Sequence, residues 1–251
     1  MGTALTNTET GLTCNTAYTR YAWAYSVCGN STPVTLSQTT SACAGVPCPG
    51  TPTVSYGGQT YNTVQIGSQC WFKENLNIGT RINGALEQTN NSIIEKYCYN
   101  DLESNCNIYG GLYEWSEMMQ YVTTAGVKGI CPTGWHIPTD AEWTASTNFL
   151  GGESVSGGKM KSTGTIEAGT GLWYAPNTGA TNESGFTAGP AGFRIYNGAF
   201  YSIGSVGYWW SSSEEVTSYA WSRNTTSSYS NVYRVDNTES GGFSVRCVRN
   251  F

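Results

Sequence analysis

Cysteine is the residue type with the most reactive chemistry in this chain. No CxxC pair occurs among the nine cysteines, which are Cys14, Cys28, Cys43, Cys48, Cys70, Cys98, Cys106, Cys131 and Cys247. Zinc sites need clustered Cys and His ligands, and the chain has one histidine, so disulfide bonds are the simpler interpretation. Disulfides imply an oxidising compartment. The odd number leaves at least one thiol unpaired, or paired outside this chain.

Three pairs are close enough in sequence for local disulfides: Cys14–Cys28, Cys43–Cys48 and Cys98–Cys106. The first would cross-link a predicted hairpin, and the second would close a small loop in a predicted linker. The third pair flanks the short segment YNDLESN.

Other reactive groups do not form a recognisable catalytic motif. Glycoside hydrolysis needs two carboxylates at a set separation, and the available candidates are Glu214, Glu215, Asp236 and Glu239. Nothing in the sequence fixes their separation. The Gly-rich stretch GGKMKSTG lacks the GxxxxGK[ST] order of a phosphate loop. We therefore expect no catalytic residues and a protein that is not an enzyme.

The composition limits the partners. Only 12% of residues are charged, against a usual share of roughly 25%. The net charge is −5 without any basic run, which argues against nucleic acid. The chain contains no run of about 20 apolar residues, so no membrane span is predicted. The polar start, Met1-Gly2-Thr3, lacks a signal-peptide core, so export would need further sequence, whereas a phage structural protein would not.

The first part of the chain predicts a β-hairpin. Tyr18, Tyr21, Trp23 and Tyr25 alternate before a turn at residues 28–30. This stretch resembles the last two strands of a fibronectin type III or immunoglobulin-like domain, which we assign to residues 1–40. Residues 41–52 are rich in Pro, Gly, Ser and Thr without periodicity, and we interpret them as a linker.

Residues 53–251 predict an α+β domain. A hairpin turns at Gly57-Gly58, and residues 112–121 show a short helical pattern. Thr139 and Glu142 form a capping-box pattern for a second helix, which ends near residues 151–152. Strands follow, with a hairpin around residues 197–198 and then the segments GYWWSSS, YAWSRNT, NVYRVDN and GGFSVRCVRN.

Seven segments, in order, resemble one bacterial family, the Fibrobacter succinogenes major paralogous domain. They are YNTVQIGSQCWFKENLN (61–77), YCYNDLESNCNIYGGLYEW (97–115), CPTGWHIPTDAEW (131–143), GGKMKSTGT (157–165), SGFTAGPAGFR (184–194), GYWWSSSE (207–214) and GFSVRCVRN (242–250). The resemblance implies a C-type lectin-like fold, in which two helices pack beside short antiparallel strands. It also implies that the terminal strands meet and that a loop-rich face binds ligand.

The resemblance also implies roles for single residues. A long-range Cys131–Cys247 bridge would join a helix to the last strand, which leaves Cys70 as a buried, unpaired thiol. His136 falls in a turn that enters a helix, which favours a structural role. Sugar-binding C-type lectins carry EPN or QPD and WND motifs, and all three are missing here. We expect no cofactor and no metal in that site, although Asp101 and Asn105 offer oxygen ligands for a structural calcium ion.

The segment 197–237 is rich in Tyr, Ser, Thr and Asn, the mixture that antibody paratopes use. Trp209, Trp210 and Trp221 match framework positions of the family and are expected in the core. The predicted ligand contacts are Asn197, Tyr201, Tyr208, Ser213, Thr217, Tyr219, Ser222, Asn224, Ser228, Tyr229, Asn231 and Tyr233.

These observations predict a ligand-binding surface protein or adhesin, located extracellularly, at the cell surface or on a virion such as a phage tail. The expected partner is a protein or glycan on another cell surface, without nucleic acid and without membrane insertion. The composition of residues 197–237 also fits a variable protein of a diversity-generating retroelement. The alternatives are a formylglycine-generating type of enzyme, which needs two reactive cysteines near the C-terminus, and a purely structural surface or pilus domain.

Overall fold

The computed structural model describes residues 9, 12, 16–40 and 43–250, with Cys43 described by its backbone alone. The chain divides into two compact units, Met1–Cys43 and Ala44–Phe251. None of the described helices is long and apolar enough to cross a membrane.

The smaller unit contains the predicted hairpin. Strand β1 (Ala17–Ala22) pairs antiparallel with β4 (Val34–Thr39), and β2 (Tyr25–Ser26) pairs with β3 (Gly29–Asn30) near the turn. Its apolar side chains stay exposed because a two-stranded sheet has little to pack against. The assignment of residues 1–40 to an immunoglobulin-like or fibronectin III-like domain stays a prediction.

The larger unit is built on a five-stranded sheet. Its strands are β5 (Cys43–Val46), β6 (Thr53–Tyr56), β7 (Gln59–Gly67), β8 (Gln69–Phe72) and β16 (Val248–Asn250). The predicted β6–β7 hairpin is present, and both turn glycines, Gly57 and Gly58, have positive φ. The C-terminal strand β16 pairs with β8. Part of the predicted linker 41–52 is therefore wrong, because β5 belongs to this sheet.

Four α-helices are found in the described part of the chain: α1 (Glu103–Tyr109), α2 (Trp115–Met118), α3 (Asp140–Phe149) and α4 (Glu153–Met160). The predicted capping box of α3 is present, with Thr139 and Glu142 bonded reciprocally. Helix α2 is shorter than predicted. Helices α1 and α4 were not predicted, because α1 has only one buried residue and α4 contains two glycines, which disfavour a helix.

The remaining strands lie outside this sheet. A parallel pair, β9 (Thr80–Arg81) and β10 (Glu95–Lys96), precedes the β11 (Phe193–Arg194) and β12 (Phe200–Tyr201) hairpin. Strands β13 (Val206–Val216), β14 (Tyr219–Thr226) and β15 (Tyr233–Thr238) form an antiparallel sheet with β14 in the centre. The fold is thus α+β with short, mostly antiparallel strands, as predicted. The segment 242–247, which was predicted as strand, forms only isolated bridges.

Aromatic side chains fill the core. The rings of Trp71 and Trp143 lie 4.6 Å apart, and Trp210 stacks on Phe243 at 4.3 Å. Burial of each such side chain stabilises the fold by about 1.5–3 kcal/mol. Trp209 and Trp210 are buried as predicted. The prediction for Trp221 is wrong, because its ring is half-buried and stacks under Arg234, whose Cζ lies 3.3 Å from the ring centroid.

Three disulfides cross-link the larger unit. Cys98–Cys106 and Cys131–Cys247 are present as predicted. The third joins Cys48 to Cys70, so the predicted Cys43–Cys48 bond and the unpaired Cys70 are both wrong. The strand order places β5, and Cys48 just after it, on the sheet that contains β8.

The predicted Cys14–Cys28 bond is also wrong. Among the described cysteines, Cys28 is free and exposed. Cys14 itself lies outside the described residues.

Candidate functional site

The twelve predicted ligand contacts fall into three groups by burial. The exposed ones are Asn197, Tyr201, Thr217, Tyr219, Ser228 and Tyr229. The half-buried ones are Tyr208, Ser213, Asn231 and Tyr233. Ser222 and Asn224 are buried. The structure therefore brings most of these residues to the surface, in several patches on β12–β15 and their connections.

Ser222 and Asn224 are corrected from ligand contacts to scaffold. Both lie in the central strand β14, whose middle is covered on its two faces. The Ser222 hydroxyl donates to the carbonyl oxygen of Val235 and accepts from the Asn237 amide, both at 3.0 Å. A buried hydroxyl that is satisfied in this way stabilises the sheet and does not reach a ligand.

The segment 226–232, which connects β14 to β15, is held through its backbone. The Nζ of buried Lys161 donates to the carbonyl oxygens of Thr178, Thr226 and Tyr229, each at 2.9 Å. Burial lowers the pKa of Lys161 to about 8. Because a buried amine needs acceptors and buried carbonyls need donors, this contact ties three backbone positions to one side chain.

Helix α4 completes the anchor through the glycine pair that precedes this lysine. Gly158 N donates to Ser230 O at 2.9 Å, and a Cβ on Gly157 would collide with the carbonyl oxygen of Asn231. The amide of Val232 donates to Glu153 O at 2.8 Å. The segment GGKMK thus allows close backbone approach and then supplies the lysine. Sequence reasoning missed this role, and the signal for it was a Gly-Gly pair three to four residues before a buried lysine.

Two side chains help to hold this connection, since the Ser230 hydroxyl donates to Thr178 O at 3.4 Å and Val232 is buried in the core, but three others do not. Among the residues that the structure describes, no partner hydrogen-bonds the side chain of Ser228, Tyr229 or Asn231. Tyr229 is 57% exposed. These positions can therefore change without loss of the contacts that fix the backbone.

A small aromatic cavity of about 120 Å³ lies beside the same sheet. Phe193, Tyr208 and Phe243 form its apolar wall, with the Tyr208 ring stacked on Phe243 at 4.6 Å and edge-on to Phe193 at 5.2 Å. Asn237 and Thr238 add polar groups. Burial raises the pKa of Tyr208, so its hydroxyl stays protonated at neutral pH.

A cluster of side-chain ion pairs lies at the start of α3, on the face of β14 opposite the aromatic cavity. Arg223 and Arg234 both bind the Asp140 carboxylate, with nitrogen–oxygen distances of 2.7 and 2.9 Å. Burial opposes ionisation of Asp140, but the two guanidinium groups outweigh it and lower its pKa. The hydroxyl of Ser213 accepts from the Asp140 amide at 3.1 Å, so it supports the start of the helix.

His136 and Glu142 form a structural pair. His136 Nε2 lies 2.8 Å from a Glu142 carboxylate oxygen, which also accepts from the Asn250 amide at 2.7 Å. Burial opposes ionisation, but hydrogen bonds from His136, Thr139 and Asn250 hold the pKa of Glu142 at about 2. This arrangement ties the start of α3 to the C-terminal strand.

Two of the four nominated carboxylates act as a pair. Burial, together with the neighbouring carboxylate of Glu214, raises the pKa of Glu239 to about 7. A carboxyl of this kind exchanges its proton near neutral pH.

The two residues predicted as oxygen ligands of a calcium ion both make hydrogen bonds within the protein. The Asp101 carboxylate accepts from the Gly84 amide at 2.7 Å, and Asn105 donates to Tyr99 O at 2.8 Å.

The comparisons with known proteins give one match. The sequence model described as the Fibrobacter succinogenes major domain matches residues 64–249. Comparison with curated proteins and with solved structures gives no match. The matched range covers most of the larger unit. It includes the GGKMK anchor, the aromatic cavity and every cysteine of the three disulfides except Cys48.

Proposed function

We propose that this chain, which belongs to the Fibrobacter succinogenes major domain family, is a non-enzymatic binding protein that works outside the cell. Its ligand is a protein or glycan on another surface, and its scaffold is C-type lectin-like. The contacts come from the exposed Tyr, Ser, Thr and Asn side chains on β12–β15 and their connections. The observation that carries the proposal is that residues 226–232 are anchored largely by main-chain contacts while the side chains of Ser228 and Tyr229 stay exposed.

The covalent frame supports an extracellular site of action. Three disulfides lie in the larger unit, and such bonds persist in oxidising environments. A rigid frame also limits the entropy that a binding surface loses when it captures a ligand. The location on a cell surface or on a phage tail, and the absence of a cofactor, belong to the proposal.

The proposal includes sequence variation in this region. Variation by a diversity-generating retroelement would fall on exposed positions such as Tyr219, Ser228 and Tyr229, and would spare Ser222 and Asn224. The gene neighbourhood tests this directly. A near-identical template repeat beside a reverse-transcriptase gene is the expected result, and the lack of both contradicts the variable-protein hypothesis.

The disulfide bond of Cys247 argues against the formylglycine-generating alternative. That chemistry needs two reactive thiols near the C-terminus, and Cys247 is bonded to Cys131. Thiol titration of the folded protein should find Cys247 unreactive. Two reactive thiols, one of them Cys247, would favour the enzyme.

The binding function is tested by removing exposed tyrosines. A variant with Tyr219→Ala, Tyr229→Ala and Tyr233→Ala should lose binding on a combined glycan and surface-protein array, because aromatic side chains dominate interface energies. The matched control replaces Tyr21 and Tyr25 in the smaller unit, which are 60% and 81% exposed. The control should bind as the wild type does. Equal binding by the triple variant, with an unchanged melting temperature, contradicts the proposal.

A further inference from the structure

The aromatic cavity beside β13 combines flat rings with polar atoms that have no partner. Among the described residues, none hydrogen-bonds the Tyr208 hydroxyl, and Asn237 uses only its amide nitrogen, in the bond to Ser222. Neither the Tyr208 hydroxyl nor the Asn237 amide oxygen is among the buried atoms that lack a partner. Both atoms therefore reach solvent, and both are available to a ligand.

The cavity lining carries no free charge. Its single ionic residue, Arg194, is buried, and its guanidinium donates to the carboxylate of Glu114 and to the carbonyl oxygens of Gly84, Leu86 and Ser240 at 2.8–3.1 Å. Because these bonds and the Glu114 carboxylate compensate it, the arginine offers little attraction to an anion. A charged ligand would lose hydration without gaining a counter-ion.

From these features we propose that the cavity binds one neutral pyranose ring of a glycan. The half-buried rings of Phe193 and Tyr208 suit the C–H face of the sugar, with Phe243 stacked behind Tyr208, while the Tyr208 hydroxyl and the Asn237 amide oxygen suit its hydroxyl groups. The inference rests on the proposed binding function and names the ligand class for one part of that surface.

A purely apolar side chain fits the cavity less well. It would cover the Tyr208 hydroxyl and the Asn237 oxygen without replacing their hydrogen bonds to water, at a cost of about 1–3 kcal/mol for each group. Pyranose hydroxyl groups both donate and accept, so they can satisfy the two atoms together. Polar groups that converge on an aromatic wall are the usual basis of small-molecule specificity.

The size of the cavity limits how much of a glycan it holds. A volume of about 120 Å³ has room for part of a single ring rather than for an extended chain. Tyr196 also lines the cavity and is 67% exposed, so its ring stands at the rim, where it can contact the next sugar. Binding of an isolated monosaccharide should therefore be weak, and that of a longer glycan stronger.

The test uses methyl glycosides of glucose, galactose, mannose and N-acetylglucosamine as probes, with methyl glucuronide and N-acetylphenylalaninamide as charged and apolar comparators. The readout is NMR of protein labelled in its aromatic side chains. At least one neutral glycoside should shift the Tyr208, Phe193 and Phe243 signals saturably, and more strongly than either comparator.

Tyr208→Phe keeps the ring that stacks on Phe243 and removes only the hydroxyl. It should weaken glycoside binding about tenfold, as expected for one hydrogen bond. Tyr25→Phe is the matched control, since Tyr25 is 81% exposed in the smaller unit and lies outside the cavity lining, and it should leave binding unchanged.

Three results overturn the glycan site: no neutral glycoside shifts the cavity signals, a comparator binds more tightly, or Tyr208→Phe binds as the wild type does. These outcomes differ from failure of the proposed function. If only the glycan site is wrong, array binding still depends on Tyr219, Tyr229 and Tyr233. If the binding function is wrong, the wild-type protein binds nothing on the array.

Discussion

The central sheet and the connection between β14 and β15 are held in place in opposite ways. In β8, the side chains of Trp71 and Phe72 are completely buried and pack against other rings. In residues 226–232, carbonyl and amide groups make most of the anchoring contacts, the buried Val232 side chain adds to them, and Ser228 and Tyr229 extend into solvent. A region fixed by side chains has little freedom in sequence, whereas a region fixed by its backbone can present different side chains on one conformation.

The covalent cross-links follow the same division. The three described disulfides join residues of the central sheet, α1 and the segments before α3 and β16. None of them involves β13, β14 or β15 in the described structure. The sheet of β13, β14 and β15 is instead joined to α3 by ion pairs, in which Arg223 and Arg234 bind Asp140.

The largest expected effect comes from opening the long covalent loop of the scaffold. Cys131→Ser with Cys247→Ser removes a bond that spans 116 residues. Loop-closure entropy predicts a loss of about 4–5 kcal/mol in unfolding free energy, which denaturant titration will measure. Cys98→Ser with Cys106→Ser opens a loop of only 8 residues and should cost less. Equal losses for the two double variants would contradict the loop-length argument.

A smaller effect is expected from Lys161→Met, which removes the donor shared by three carbonyl groups. Leaving these carbonyls without their donor should cost about 2–4 kcal/mol in total. Hydrogen exchange should quicken at residues 227–232 more than in β7 and β8. Lys159→Met is the matched control, because Lys159 forms only a partly exposed ion pair with Glu183 and should cost less than about 1 kcal/mol. Uniform quickening over the whole sheet would contradict a local anchor.

The Glu239 carboxyl should give a pH-dependent effect. Its pKa is raised from 4.5 to about 7 in the folded protein, so the native state binds more protons than the unfolded state between these values. Stability should therefore fall as pH rises from 4.5 to 7. Glu239→Gln should remove this slope, a difference on the order of 1 kcal/mol after allowance for solvent screening. The check is unfolding free energy at pH 5 and pH 8. Parallel losses in both proteins would contradict the assignment.

The smallest effects are expected at the exposed positions of the connection. Ser228→Ala, Tyr229→Ala and Asn231→Ala should each change the unfolding free energy by less than about 0.5 kcal/mol, since these side chains lie outside the anchoring contacts. Calorimetry of the three single variants will show this. A loss above about 2 kcal/mol at any of them would mean that the side chain helps to hold the fold.

Local signals in the sequence predicted several elements well. Gly57-Gly58 marked the β6–β7 turn, and Thr139 with Glu142 marked the start of α3. Resemblance to the family supplied the Cys131–Cys247 bond, which spans too much sequence for any local pattern. These features depend either on a few neighbouring residues or on a known family pattern.

The wrong predictions concern features that depend on long-range geometry. The Cys48–Cys70 bond depends on the order of strands in the sheet, which no spacing reveals. Ser222 and Asn224 were predicted as ligand contacts from the composition of their segment. Strand alternation does not show which faces of β14 are covered. Trp221 was assigned to the core because it matches a framework position of the family, whereas in the structure it stacks under Arg234.

The most direct test of the account is saturation mutagenesis with protease resistance as the measure of folding. Two sets of positions are compared on the displayed protein: Ser228, Tyr229 and Asn231, and the anchor of Gly157, Gly158 and Lys161. We predict that nearly all substitutions are tolerated in the first set and that few are tolerated in the second. Similar tolerance in both sets would contradict the claim that the backbone anchor frees these side chains for binding.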